Sequence, residues 1–129
     1  MKIASLKFSE EEPSFYNIGI DDEGNVFYYN EKGELHREGG PAIEYANGDK
    51  EWYENGKRHR EGGPAIEYAD GSKEWWVNDK AHRLDGPAVE MANGAKQWYV
   101  NNKLIGKSKE GFTQERFERW KKEHGYESN

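Results

Sequence analysis

His36-Arg37-Glu38-Gly39-Gly40-Pro41-Ala42-Ile43-Glu44-Tyr45-Ala46 recurs unchanged at residues 59–69, and a looser copy, HRLDGPAVEMA, begins at His82. Successive copies start 23 residues apart. A fixed period of that length marks a small supersecondary unit stacked on itself, so each position inside the unit is filled several times. A scaffold residue is needed in every copy and a catalytic residue is not. The repetition therefore argues against an enzyme.

Working outward from the repeated run, each unit carries two turn signals. One is Asn47-Gly48, Asp70-Gly71 and Asn93-Gly94; the other is Asn55-Gly56, Asn78-Asp79 and Asn101-Asn102. Such dipeptides supply the positive φ angles of tight two-residue hairpin turns. Two turns per unit mean two strands per unit, and the fold class follows: mainly β, an open antiparallel meander of repeated hairpins. The first strand follows Pro41, Pro64 or Pro87, because proline cannot donate to a ladder and so opens a strand. The second carries Trp52-Tyr53, Trp75-Trp76 or Trp98-Tyr99.

A two-residue first turn fixes the cross-strand register. Ile43 then faces Trp52, Ile66 faces Trp75 and Val89 faces Trp98, on a face shared with Tyr45, Tyr68 and Met91. The other face sets Ala42, Ala65 and Ala88 opposite Tyr53, Trp76 and Tyr99. It also sets Glu44 against Glu51 and Glu67 against Glu74, and like charges directly opposed are destabilising. Either a bulge shifts this register, or a cation sits between the carboxylates, from Arg37, Arg60, Arg83 or a partner.

The ends differ from the middle. Residues 15–35 read as a degenerate unit, with one extra residue in the Glu31-Lys32-Gly33 turn. Residues 1–8 add a further strand, and a polar loop follows at Ser9–Ser14. The division of the single domain is thus an N-terminal cap at 1–21, the repeat sheet at 22–106, and a linker with a helix at 107–129. Thr113 is the N-cap of a short helix over about 113–124, with Phe112 stapled to Phe117, Glu115–Arg119 and Glu118–Lys122 as supporting pairs, and Gly125 at its end. Phe117 and Trp120 lie three apart, on the stripe that faces a core.

Bulk properties limit the function classes. The chain has 129 residues, only 33% hydrophobic but 14% aromatic, so burial rests on a few large rings and disorder is disfavoured. Its net charge of −6 opposes a basic nucleic-acid surface. With no cysteine there is no disulfide, thiolate nucleophile or Cys-based zinc site. The N-terminal apolar stretch is too short for a signal peptide, which leads to the expectation of a soluble cytoplasmic protein without a membrane span.

The segment Trp52-Tyr53-Glu54-Asn55-Gly56-Lys57-Arg58-His59, with its aromatic, Asn-Gly-Lys-x-His and 23-residue period, resembles the MORN repeat. The resemblance covers roughly residues 22–106. It departs where MORN units place glycine after the histidine and this chain has Arg37, Arg60 or Arg83, and where Gly-Pro-Ala is inserted. It is most similar to a variant with HRxxGPA units and a closing short helix, found in proteins of bacteriophages, prophages and large DNA viruses. The resemblance implies a protein-interaction or lipid-associated scaffold without shared chemistry, in a phage-type factor that binds and inhibits a host defence protein in the host cytoplasm.

No constellation of residues points to a reaction or a cofactor. His36, His59 and His82 lie two strands apart from unit to unit, about 9–10 Å, whereas zinc-bound nitrogens lie about 2.0–2.1 Å from the ion. No metal is expected. A glycosidase-like pair such as Glu44 and Glu51 is not distinguished from Glu67 and Glu74. What remains is a surface of Tyr53, Trp76 and Tyr99, flanked by Glu44, Glu67, Glu90, Arg60 and Arg83. Left bare, that stripe binds a protein partner; covered, it belongs to the core or to a homodimer interface. A nucleotide or sugar held between the rings, and an acidic mimic of DNA, are the alternative functions.

Overall fold

The computed structural model describes residues 2–7 and 15–126, with side chains from residue 17 onward. The expected loop at Ser9–Ser14 lies outside the described residues. Strands β1 (Lys2–Lys7), β2 (Phe15–Ile20) and β3 (Val26–Tyr29) form an antiparallel meander at the N-terminal end. The next unit contributes β4 (Ile43–Glu44), β5 (Lys50–Glu51), β6 (Tyr53–Glu54) and β7 (Lys57–Arg58). Its successor contributes β8 (Ile66–Glu67), β9 (Lys73–Glu74), β10 (Trp76–Val77) and β11 (Lys80–Ala81). The last contributes β12 (Val89–Glu90), β13 (Lys96–Val100) and β14 (Lys103–Lys107), followed by a 3-10 turn at Ser108–Glu110 and helix α1 (Gln114–Glu123). Ten strands make one open sheet in the order β1-β2-β3-β4-β5-β8-β9-β12-β13-β14, while β6-β7 and β10-β11 form separate small hairpins. No helix among the described residues is long and apolar enough to cross a membrane.

The second turn of each unit is the two-residue type the sequence requires. Both central residues have positive φ: 51° and 83° at Asn55-Gly56, 49° and 67° at Asn78-Asp79, and 49° and 72° at Asn101-Asn102. The degenerate unit carries the extra residue in a loop bonded from Asn30 N–H to the Glu34 carbonyl, with Gly33 at φ 81°.

The first turn corrects the expected register. Tyr45 N–H donates to the Asp49 carbonyl and Gly48 N–H to the Tyr45 carbonyl, so the loop has three residues, Ala46-Asn47-Gly48. Only Gly48, at φ 102°, is left-handed. This is the turn with a glycine bulge that ranks next to the two-residue hairpin. Ile43 therefore pairs with Glu51, not Trp52, and Glu44 with Lys50, not Glu51. Across the sheet the pairs run Glu44–Lys50–Glu67–Lys73–Glu90–Lys96, alternating in sign. The opposed carboxylates are gone, and opposite charges support the ladder.

The repeated His-Arg-x-x-Gly-Pro-Ala-x-Glu is a joint between units. The guanidinium carbons of Arg37, Arg60 and Arg83 lie 3.9, 3.9 and 3.8 Å from the ring centroids of Tyr28, Trp52 and Trp75. Each also donates to the carbonyl of Pro41, Pro64 or Pro87 and to Glu44, Glu67 or Glu90. The guanidinium runs over the second glycine: a Cβ on Gly86 would stand 2.9 Å from the Arg83 guanidinium carbon. Ala42, Ala65 and Ala88 are fully buried beneath this crossing.

The histidines bind the next unit's hairpin. Asn55, Asn78 and Asn101 N–H donate to Nδ1 of His36, His59 and His82 at 3.0, 3.1 and 2.9 Å. An accepting Nδ1 places the proton of the neutral ring on Nε2. Burial pushes the His82 pKa below the ordinary 6.5. A depressed histidine pKa gives stability that is complete above about pH 6.5 and is lost as pH falls through the folded-state value. Urea unfolding should therefore show lower stability at pH 5.5 than at 7.5, and His82→Gln should reduce that difference. A pH dependence identical in His82→Gln would refute this role.

Helix α1 closes the C-terminal end. Thr113 caps it by accepting Arg116 N–H, as expected. The supporting ion pair is Glu118–Lys121 at 3.0 Å, not Glu118–Lys122, and Lys121 Nζ also donates to the Leu84 carbonyl at 2.7 Å. Lys121 is diverted because it anchors the helix to the last repeat.

Candidate functional site

The pleat and the corrected register sort the side chains onto two faces. One, here the back, carries Trp52, Trp75 and Trp98, the Arg37, Arg60 and Arg83 series, and Glu44, Glu67 and Glu90. Phe117 packs on it against Trp98 and Val100. The other, the front, carries Ile43, Ile66 and Val89 with Tyr45, Tyr68 and Met91, then Glu51, Glu74 and Gln97, and Tyr53, Trp76 and Tyr99.

The expected surface is thus divided. Tyr53, Trp76 and Tyr99 do share one face. Glu44, Glu67, Glu90, Arg60 and Arg83 lie on the opposite face and do not flank the aromatic stripe. A one-residue change in turn length moves every side chain of a strand to the other side. Arg60 and Arg83 are moreover engaged in the joints, where they line back-face clefts of about 630 and 490 Å³ beside Trp52 and Trp75.

The front face is organised around Glu51 and Glu74. Tyr45 and Tyr53 hydroxyls donate to Glu51 at 3.0 and 2.9 Å. Tyr68 hydroxyl and Trp76 Nε1 donate to Glu74 at 3.1 and 2.8 Å. In the last unit Tyr99 hydroxyl donates to Gln97. Burial, followed by the neighbouring carboxylates, pushes the Tyr45 and Tyr68 pKa up to about 12. These hydroxyls stay protonated at neutral pH, so they act as fixed donors and not as nucleophiles.

One of the breaks in the repetition lies at the centre of this face. Arg58 is followed at the same repeat position by Ala81 and Leu104. Its Nη2 bonds Glu51 at 3.1 Å and the Tyr53 hydroxyl at 2.9 Å. Its guanidinium carbon lies 5.4 Å from the Tyr53 ring centroid and 5.0 Å from that of Trp76. The Glu51 and Arg58 side chains are 15% and 26% exposed, and Arg58 Nε is buried without a hydrogen-bond partner. Reading the repeats for identity passes over this residue; reading them for difference at one position finds it.

Comparison with protein-family models, curated proteins and solved structures finds no match.

Proposed function

We propose that the protein is a non-catalytic binding module that holds a protein partner on its front face. The observation that carries this reading is the composition of that face. The described contacts of α1 fall on the back, and the front keeps Tyr68 and Met91 at 37% and 44% exposure beside Trp76 and Tyr99. Tyrosine, tryptophan and methionine are residues that interfaces favour over the rest of a surface. Glu51 and Glu74 are held in place by neighbouring hydroxyl, indole and guanidinium donors, which speaks for recognition over catalysis. The resemblance to phage-type MORN-like proteins supplies the first partner class to try, a bacterial host protein whose activity is blocked.

Immobilised protein exposed to bacterial lysate should retain a specific partner, and Trp76→Ala should weaken that retention at least about thirtyfold, as a central aromatic anchor would. The back-face change Lys73→Ala should leave it intact. Retention equal in Trp76→Ala and wild type, or no specific retention, would sink the reading.

A further inference from the structure

The repeat contains its own template for a ligand. Arg58 fills the front-face cleft of its unit, bonded to Glu51 and lying between the Tyr53 and Trp76 rings. One unit further on, four of the surrounding positions keep their character: Glu74 stands for Glu51, Trp76 for Tyr53, Tyr99 for Trp76 and Val89 for Ile66, while Gln97 replaces Glu74 and Met91 replaces Tyr68. The arginine is not kept. Ala81 occupies its position, and its Cβ ends where the Arg58 side chain would begin. A cleft of about 380 Å³ opens there, lined among others by Glu74, Trp76, Val89, Met91, Gln97 and Tyr99.

We infer that this cleft receives an arginine side chain of a protein partner; the inference rests on the front-face reading above and names its chemistry. Glu74 accepts from two neutral donors, Tyr68 and Trp76, and among the described residues no cation pairs with it as Arg58 pairs with Glu51. A carboxylate has about four lone-pair sites, so Glu74 retains acceptors for a guanidinium. Trp76 and Tyr99 offer ring faces of the kind that Arg58 already uses, and a planar guanidinium stacks where a compact ammonium does not. The indole bond and the tyrosine bond hold the carboxylate in place before the ligand arrives, which lowers the ordering cost of binding. The chain's net charge of −6 draws a basic partner surface toward it.

The test uses the full chain, labelled with nitrogen-15 and titrated with N-acetyl-arginine amide. A saturable shift of the Trp76 indole N–H is expected. Glu74→Gln keeps the shape and should weaken binding about tenfold, the scale of one charge-assisted hydrogen bond. Ala81→Arg should fill the cleft from within and remove the response; if that variant does not fold, Glu74→Gln decides alone. Equal shifts from the lysine or citrulline amides, a shift produced by dilution of the protein alone, or an undiminished response in Glu74→Gln would overturn the inference. A lysate partner lost in Trp76→Ala but unaffected by Glu74→Gln overturns the arginine inference and leaves the front-face reading standing. An arginine response with no partner captured supports the cleft's preference and sinks the broader reading.

Discussion

Phe117→Ala will lower the unfolding free energy by about 3–5 kcal/mol, the range for truncating a fully enclosed aromatic. Phe117 has no exposed surface and packs against Trp98 and Val100. The size of the effect follows from what the helix replaces. Trp52 and Trp75 are each covered by the arginine of the unit's own joint, Arg60 and Arg83. At the corresponding place after Trp98 the chain has Gly106. The Phe112 ring takes the vacated space, edge-on to Trp98 with centroids 5.2 Å apart, and Gln114 accepts the Trp98 indole N–H at 2.9 Å. A Cβ on Gly106 would run into the Phe112 ring, so Gly106→Ala should itself cost about 1–3 kcal/mol by overpacking. Repeat sheets need terminal caps because the last unit has no neighbour to bury its face. Urea denaturation followed by tryptophan fluorescence measures both variants. A loss under about 1 kcal/mol for Phe117→Ala would mean that α1 hangs on the sheet without closing it, since fully buried aromatics cost several times more.

The meander, its period and its terminal helix were legible because each rests on local chemistry. Asn55-Gly56 and Asn101-Asn102 demand left-handed backbone, and Thr113 caps the helix it precedes. The register was not legible from the Asn-Gly dipeptide, because one dipeptide serves two loops. In the second turn Asn55 and Gly56 are the whole loop and both have positive φ. In the first, Asn47 and Gly48 are two of three loop residues and only the glycine is left-handed. The opposed Glu44 and Glu51 carried the warning, and the alternating Glu–Lys ladder shows which resolution the sheet takes. That slip is why Tyr53, Trp76 and Tyr99 are found together while their expected charged neighbours are on the far side.

Differences between copies divide into two kinds. Asp79 in place of Gly56 is structural: its N–H donates to the Arg58 carbonyl and its Oδ1 accepts Arg58 N–H, tying successive hairpins together. Asn102 does the same for Ala81. The exchange of Arg58 for Ala81 has no such compensation. It removes a side chain from a cleft that keeps the carboxylate and the two flanking rings, and it does so on the face that carries no helix.

Arg58→Ala tests both the stability of that face and the template. Removing one partner of an enclosed ion pair strands the other, and fully buried cases cost about 3–5 kcal/mol. Glu51 keeps its two tyrosine donors and the pair is partly exposed, so the loss here should be about 2–3 kcal/mol, at the lower end. Glu51→Gln combined with Arg58→Ala should recover part of it, because the stranded charge is then absent. The same substitution gives the earlier cleft the alanine that the later one has, beside a carboxylate and two flanking rings. Titration with N-acetyl-arginine amide should then report two sites where the wild type reports one, the added response falling at Tyr53. Unchanged stability would show that Glu51 is solvated without its arginine. A stable Arg58→Ala protein that still binds at one site would mean that Glu, flanking rings and an alanine do not suffice to make the cleft.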